Sequence, residues 1–286
     1  MKKLIMLLLP ALVALSACEP TKDDIKPDAV MGADDLNFTV ASTTPGGNEI
    51  KMTNLMPGVV VQWDHLTGLI TATEPETTVV LPFMGDIPIK ITAVLNGGQV
   101  SKTVTVSITA LDHPVAPQWA MFAGTSIEGK AWVWGDGNCY GTNGYGWGVV
   151  PSWNTASVGG TADNDLLVDG DQQMVFDLDG GANYTKRTAD GTILETGTFA
   201  FDMSKTKVMD AEAGTMYSIG ELSLTNEATV LCGYDFYSQG SGPISKYDIV
   251  AIDDDKLILA WAAPDAVFQD PDWATTNTIW IFKAKE

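Results

Sequence analysis

Apolar and polar residues alternate with a period of two along much of the chain beyond residue 35. Val59, Val61 and Trp63 occupy alternate positions, and the run at 104–108 repeats the pattern. Such alternation is typical of half-buried β-strands. No segment after the first eighteen residues keeps a sustained helical period. The pattern therefore predicts an all-β protein.

Turn signals separate several of these runs. Asn-Gly at 96–97 accepts the positive φ angles of a tight hairpin turn, and Asp-Gly at 190–191 is a second signal of this kind. An acidic run at 253–256 separates a third pair of apolar runs. The chain is therefore expected to form antiparallel hairpins.

Two prolines, Pro114 and Pro117, interrupt the alternation after residue 112 and favour an extended connection. Together with the length of the chain, this interruption predicts two domains. We expect the following organisation: a signal peptide at 1–18, a flexible tether at 19–33, an immunoglobulin-like β-sandwich at 34–112, a linker at 113–117, and a larger antiparallel β-sandwich or barrel-like domain at 118–286.

The N-terminus has the features of a signal peptide. Two lysines precede an apolar run at 4–15 that is too short for a permanent membrane span. The run ends on Leu-Ser-Ala-Cys at 15–18, which resembles the lipobox of bacterial lipoproteins. This resemblance implies acylation of Cys18 and anchoring in the outer membrane. An ordinary secretory signal with a chance cysteine is the alternative.

Two acidic residues, Asp23 and Asp24, follow shortly after this cysteine. They resemble the short acidic export signal of some Gram-negative lipoproteins. The resemblance implies that the lipid-anchored protein faces the cell exterior.

Charge narrows the choice of partners. The chain has 36 acidic and 16 basic residues, with a net charge of −20. This balance argues against nucleic acid and anionic membrane surfaces as partners. The charge does not exclude neutral ligands.

The sequence leaves open whether Cys139 and Cys232 form a disulfide in an oxidising compartment.

The first β region resembles the polycystic-kidney-disease-like (PKD-like) branch of immunoglobulin-type modules. Trp63-Asp64 falls where these modules carry a Trp-Asp pair, and Pro-Phe-Met-Gly at 82–85 precedes the last hairpin. The usual Gly-Asp-Gly after the Trp-Asp pair is replaced by His-Leu-Thr-Gly at 65–68.

The second region resembles surface glycan-binding lipoproteins of starch-utilisation-type systems. The matching features are Lys-Ala-Trp-Val-Trp at 130–134, a glycine and aromatic loop ending at Trp153, and the segment 171–184. The resemblance implies carbohydrate binding without naming a sugar.

Aromatic residues in turn-rich sequence are the candidate binding residues. Neutral sugars present flat C–H faces ringed by hydroxyls, and their receptors combine exposed rings with polar partners. The candidate glycan-binding residues are Tyr140, Tyr145, Trp147, Trp153 and Trp273. For each of them, packing in the core is the alternative. Rings within apolar runs are expected to pack in the core: Trp132, Trp134, Trp261 and Trp280.

Four carboxylates could hold calcium, and no other cofactor is expected. The weak calcium candidates are Asp163, Asp165, Asp169 and Asp171. Leu167 and Val168 break the EF-hand template, so a solvated acidic loop is the alternative.

The sequence offers little material for catalysis. His65 and His113, the only histidines, lie in a hairpin and in the linker, where neither a zinc site nor a Ser-His-Asp triad is expected. No local motif marks Glu128, Glu195 or Glu221 as one of a matched pair of glycosidase carboxylates. We therefore expect a protein that is not an enzyme.

The predicted function is glycan capture at the cell surface without catalysis, close to an outer-membrane transporter complex. The partners would be the glycan, the membrane through the lipid anchor, and that transporter. The alternatives are a structural or adhesive surface protein and, less favoured, a glycoside hydrolase.

Overall fold

A computed structural model describes residues 32–72, 74–95, 98–142, 153–156, 170–210, 215–234, 242–262 and 277–286. Within these residues the protein is nearly all β, which confirms the predicted fold class. A short 3-10 turn (Ala33–Asp35) and a six-residue helix, α1 (Gln118–Ala123), accompany the strands.

The first seven strands form two sheets packed face to face. These strands are β1 (Phe38–Ser42), β2 (Glu49–Asn54), β3 (Val60–Asp64), β4 (Leu69–Ala72), β5 (Glu76–Val80), β6 (Gly85–Leu95) and β7 (Gly98–Ile108). One sheet has the order β1-β2-β5 and the other β4-β3-β6-β7. Alternate residues such as Ile50 and Trp63 are buried between the sheets, as the period-two pattern predicts.

Twelve further strands are seen after residue 129 in the described part of the chain. They are β8 (Lys130–Trp134), β9 (Tyr140–Thr142), β10 (Trp153–Ala156), β11 (Gln172–Asp177), β12 (Asn183–Thr188), β13 (Ile193–Asp202), β14 (Lys207–Asp210), β15 (Thr215–Ser218), β16 (Gly220–Leu224), β17 (Lys246–Ile252), β18 (Lys256–Ala262) and β19 (Asn277–Ala284).

Eight of these strands close into a barrel-like sheet. The order is β8-β11-β12-β13-β16-β17-β18-β19, and β19 pairs back onto β8 through Phe282 with Trp134. All neighbouring strands are antiparallel. The order of the eight strands around the sheet is the same as their order along the chain. We call this structure the closed sheet.

The hairpin predictions are confirmed by strand register. Leu95 pairs with Gly98, so β6 and β7 form a hairpin whose strands are joined through residues 96–97. Arg187 pairs with Ile193 around the Asp-Gly turn, and the acidic run lies between β17 and β18. Local turn chemistry was sufficient to locate all three.

Large rings fill the inside of the closed sheet. Trp132 and Trp280 are fully buried and Trp134 is 3% exposed, as predicted, whereas Trp261 is partly buried. Phe282 and Trp134 pack with ring centroids 5.0 Å apart. Inward rings alternate with outward residues along each strand, which is the reason why the period-two pattern identified them.

Helix α1 caps one end of the closed sheet, which we call the capped end. Phe122 is fully buried and packs against Phe176, Phe199 and Phe201, with centroids 5.6, 5.9 and 5.5 Å away. The indole N–H of Trp132 donates to the Phe122 carbonyl at 2.9 Å. The sequence pattern did not predict α1, because six residues are too few to show a helical period.

The sandwich abuts this capped end. The Met84 N–H donates to the Leu178 carbonyl at 3.0 Å, and the Gly180 N–H donates to the Met84 carbonyl at 2.7 Å. Phe83 meets Trp119 of α1 edge to face at 5.7 Å. In the described residues, the Met84–Asp179 bridge is the only strand pairing that crosses the predicted linker.

The chain enters the sandwich at the end far from the closed sheet. Asn37 accepts a hydrogen bond from the Leu55 N–H, and Asn54 binds the Val59 carbonyl beside the start of β3. Val60 pairs with Val94 next to the β6–β7 turn. The opposite end of that hairpin, beside Met84, meets the closed sheet. The first residue of β1, Phe38, and the closed sheet are therefore at opposite ends of the sandwich.

Candidate functional site

The second end of the closed sheet, opposite α1, carries long connections. It is formed by Thr142, Gln172, Thr188, Ala262 and Asn277, and we call it the loop-bearing end. Thr142 pairs with Thr278, Ala262 with Asn277, and Gln172 with Thr188. These registers place the ends of β9, β18, β19, β11 and β12 on the same side of the sheet.

Most of the predicted platform residues belong to connections that leave from this end. Tyr145 and Trp147 lie outside the described residues, and so does Trp273. The backbone of Trp153 begins β10 and pairs with Thr142. The described residues flanking 143–152 and 263–276 therefore both lie at the loop-bearing end.

Tyr140 corrects one prediction. Its ring is fully buried, packing against Trp134 and Trp280 with centroids 5.7 and 5.9 Å away. Its hydroxyl donates to the Tyr234 carbonyl at 3.2 Å. Tyr140 faces the inside of the closed sheet, so its assignment to an exposed glycan platform is wrong.

The inside of the loop-bearing end is occupied by the protein's own chain. After β16, residues 225–234 turn inward, and we call them the inner segment. Val230, Leu231 and Cys232 are fully buried there. A side chain at Gly197 would lie 2.6 Å from the Thr225 carbonyl oxygen, so this glycine leaves room for the entry of the segment.

Polar side chains on the inner wall hold this segment. The Tyr184 hydroxyl donates to the Thr229 carbonyl at 2.6 Å, and the Trp280 indole N–H donates to the Cys232 carbonyl at 3.0 Å. Buried backbone carbonyls need such donors, because water does not reach them. The inner segment is therefore specified by directional contacts as well as by its apolar residues.

An ion pair completes the attachment of the inner segment. Lys186 Nζ lies 2.5 Å from Glu195 Oε1 and also donates to the Thr229 hydroxyl at 2.9 Å. Glu195 Oε2 accepts the Thr229 N–H at 2.8 Å. Lys186 is buried, although lysine is seldom found inside a protein without a partner. No sequence motif pointed to this pair; a lysine at an inward position of a strand was the single available signal.

The structure describes one of the four calcium candidates. Asp163, Asp165 and Asp169 lie outside the described residues, whereas Asp171 is exposed in the turn before β11. Among the residues that are described, no group of three or more His, Cys, Asp or Glu side chains is arranged to hold a metal ion. Calcium binding stays a prediction.

The histidines lie away from the loop-bearing end. His65 is buried in the sandwich with Nδ1 2.8 Å from the Thr67 hydroxyl, and burial lowers its pKa. His113 Nδ1 lies 3.1 Å from Asp112, and its Nε2 lies 3.7 Å from Glu49. Both positions are structural.

The two cysteines whose pairing the sequence left open are both buried. Neither Cys139 nor Cys232 forms a disulfide in this structure.

A second concave site lies on the outside of the closed sheet. Glu221 of β16 and Asp248 of β17 are directly opposite each other. Asp248 lies between Tyr247 and Ile249, whose side chains are buried in the core inside the closed sheet, so its carboxylate faces outward. The pocket around these two carboxylates has a volume of about 160 Å³, and we call it the outer-wall pocket. Its lining residues are Lys207, Glu221, Lys246, Tyr247, Asp248, Trp261 and Ala262.

Charged pairs shape the outer-wall pocket. Lys205 Nζ lies 2.6 Å from Glu221, and Lys207 Nζ lies 2.8 Å from Asp248. Burial raises the pKa of Asp248, and the bond from Lys207 opposes that rise. Trp261, which also lines the pocket, follows the inward alternation of Leu257 and Leu259 and packs, partly buried, against the core.

No protein-family model matches the chain, and no curated protein matches it. Within the described residues, no helix combines the length and the apolar composition that crossing a membrane requires.

Proposed function

We propose that this protein is a lipid-anchored surface protein that binds a glycan without catalysis and retains it near an outer-membrane transporter complex. One observation carries the proposal. The connections containing Tyr145, Trp147 and Trp273, together with the start of β10 at Trp153, all join the closed sheet at its loop-bearing end. Loops on a rigid scaffold commonly carry binding residues.

The order of the parts suits capture at a surface. The chain would leave the acylated Cys18, enter the sandwich at its far end, and reach the closed sheet at the capped end. The tether at 19–33 could add up to about 50 Å when fully extended. The loop-bearing end would then lie farthest from the membrane, where a polysaccharide can reach it.

The occupied interior also supports an external site. Closed eight-stranded sheets can hold a small ligand inside. Here Trp132, Trp280 and the inner segment take up that space. A ligand would therefore bind to the loops or the outer wall, and an extended polymer fits such a surface better than a small enclosed molecule does.

Affinity electrophoresis tests the proposal. The chain from residue 19 onward, without its acyl anchor, would be run through gels containing individual plant and host polysaccharides. We expect one polysaccharide to retard the protein, and we expect Trp147→Ala or Trp153→Ala to abolish the retardation without loss of folding. Leu69→Ala is the control, because it removes an apolar side chain that is 61% exposed on the sandwich. Failure of every polysaccharide to retard the protein would favour a structural or adhesive role.

A glycoside hydrolase is the second candidate, favoured by the facing carboxylates of Glu221 and Asp248. Directly opposite residues on neighbouring strands have Cβ atoms about 5 Å apart, which is close to the separation used by retaining glycosidases. Both carboxylates, however, are engaged by lysines. Release of reducing ends from the retarding polysaccharide, lost in Asp248→Asn, would establish catalysis. Binding without release would support the first proposal.

A further inference from the structure

The outer-wall pocket is built by two separate parts of the chain. The hairpin of β14 and β15 is an arm laid over the outside of the closed sheet. Tyr217 on this arm is 1% exposed and packs with Ile258, Ala260 and Ile279 on the outer face. The arm brings Lys207 over Asp248, so the pocket is a constructed concavity and not a gap between loose side chains.

One of the charged residues that line the pocket has no ion-pair partner among the described residues. Glu221 is paired with Lys205, and Asp248 is paired with Lys207. Lys246 precedes Asp248 by two residues and lines the same pocket, but no carboxylate in the described part of the chain lies within ion-pair distance of it. Lys246 therefore lines the pocket as an ammonium group without an ion pair in the described part of the chain, whose full sequence has a net charge of −20.

Asp248 also keeps unused hydrogen-bonding capacity. Its side chain is 6% exposed, and Lys207 contacts Oδ2. Oδ1 accepts no hydrogen bond from the residues that the structure describes. A carboxylate has about four acceptor sites, so Oδ1 can still accept hydrogen bonds from a ligand in the pocket.

We infer that the outer-wall pocket binds one acidic sugar unit, whose carboxylate or sulfate pairs with Lys246 and whose hydroxyls donate to Asp248. This inference rests on the proposed function, and it adds a second contact outside the loops. A volume of about 160 Å³ corresponds to roughly five water molecules at about 30 Å³ each, which suits a single sugar unit or a chain end. The unmatched ammonium would select acidic over neutral sugars.

Isothermal titration calorimetry on the chain from residue 19 onward tests the inference. The probes are oligogalacturonate, oligoglucuronate, a sulfated oligosaccharide, and neutral oligosaccharides of equal length. We expect either the carboxylate-bearing or the sulfated probes to bind at least tenfold more tightly than the neutral probes. The class that binds more tightly identifies the acid group that the pocket recognises. Lys246→Met should remove that preference, and Asp248→Asn should weaken binding of the same probe.

Lys256→Met is the matched control, because it removes an equal charge from an exposed position on β18 outside the pocket. It should leave the preference unchanged. Equal affinity for acidic and neutral probes, with no effect of Lys246→Met, would overturn this inference and leave the proposed function standing. If the acidic probes bind no better than inorganic sulfate does, the sugar part of the inference is wrong. Absence of binding by every saccharide, in gels as well as by calorimetry, would overturn both proposals.

Discussion

The two ends of the closed sheet are stabilised in different ways. At the capped end, Phe122 packs among three other phenylalanines, and the sandwich covers the neighbouring surface. At the loop-bearing end, the inner segment is held by Tyr184, Trp280 and the Lys186–Glu195 pair. Apolar packing is tolerant of detail, whereas polar networks specify one arrangement. The end with the candidate binding residues is thus the more precisely specified one.

Long connections leave from both ends of the closed sheet. At the capped end, residues 203–219 join β13 to β16 and include the β14–β15 hairpin, whereas the turns at 178–182 and 253–255 are short. The connections at 143–152, 225–245 and 263–276 leave from the loop-bearing end. Long connections in a compact domain are commonly functional. The candidate binding residues of the proposal belong to the connections of the loop-bearing end.

The largest expected effect is at the capped end. Phe122→Ala should lower the free energy of unfolding by about 3–5 kcal/mol, because it removes a fully buried ring from a close-packed cluster. Urea unfolding followed by tryptophan fluorescence measures the loss. Ile193→Ala, at a side chain that is 62% exposed, should change stability by no more than about 0.5 kcal/mol. Similar losses in the two variants would contradict the account.

The loop-bearing end should respond to a polar substitution. Lys186→Met removes the ion pair with Glu195 Oε1 and the hydrogen bond to the Thr229 hydroxyl, and it should cost about 1–3 kcal/mol. Hydrogen exchange at the Thr229 amide should become faster, since the inner segment is less firmly held. Lys256→Met, at an exposed lysine, is the control. An unchanged exchange rate in Lys186→Met would mean that the ion pair does not hold the segment.

The junction of the sandwich with the closed sheet can be probed through two glycines. Gly85 has φ +84° and Gly58 has φ +75°, so alanine is strained at both positions. A Cβ at Gly85 would also overlap Asp179 Oδ1, whereas a Cβ at Gly58 meets nothing within 4 Å. Gly85→Ala should therefore cost about 1–2 kcal/mol more than Gly58→Ala in urea unfolding. Equal costs would show that the junction contributes no stability.

The smallest expected effect is a pH dependence where the sandwich meets the linker. Hydrogen bonds, first from the Thr44 hydroxyl and then from His113 and the Asn48 N–H, lower the pKa of Asp112 from 3.8 to about 2. A carboxyl with a lowered pKa in the folded state stabilises the protein above its unfolded pKa, and this contribution is lost as pH falls from about 4 to about 2.

Melting temperatures of the wild type and Asp112→Asn, compared between pH 6 and pH 2, measure this contribution. The difference should be present at pH 6 and should shrink towards pH 2. The effect is small because Asp112 is exposed to solvent. A difference that grows on acidification would contradict the assignment.

Local features of the fold could be predicted from the sequence. Period-two alternation identified the strands, and the Asn-Gly and Asp-Gly dipeptides located turns, because both signals depend on neighbouring residues only. Trp132 and Trp134 were correctly assigned to the core for the same reason. Closure of the sheet could not be predicted, since it depends on pairing between β8 and β19 at opposite ends of this part of the chain.

The residues of the candidate sites were harder to predict from the sequence than the strands and turns were. Tyr140 stands in glycine-rich sequence that gives no sign of which way the ring points, and it was assigned to the platform although it faces inward. Glu221 and Asp248 are brought together by strand register, although the connection at 225–245 separates their strands along the chain. No spacing rule connects such residues. Contacts of this kind are decided by the closed sheet as a whole.

Hydrogen–deuterium exchange with and without the retarding polysaccharide tests the central claim most directly, because it compares the two ends of the closed sheet in one experiment. We predict slower exchange on binding in peptides covering the loop-bearing end around Thr142, Trp153 and Asn277, with α1 and the sandwich unchanged. Protection confined to α1 or the sandwich, with the loop-bearing end unaffected, would contradict the account.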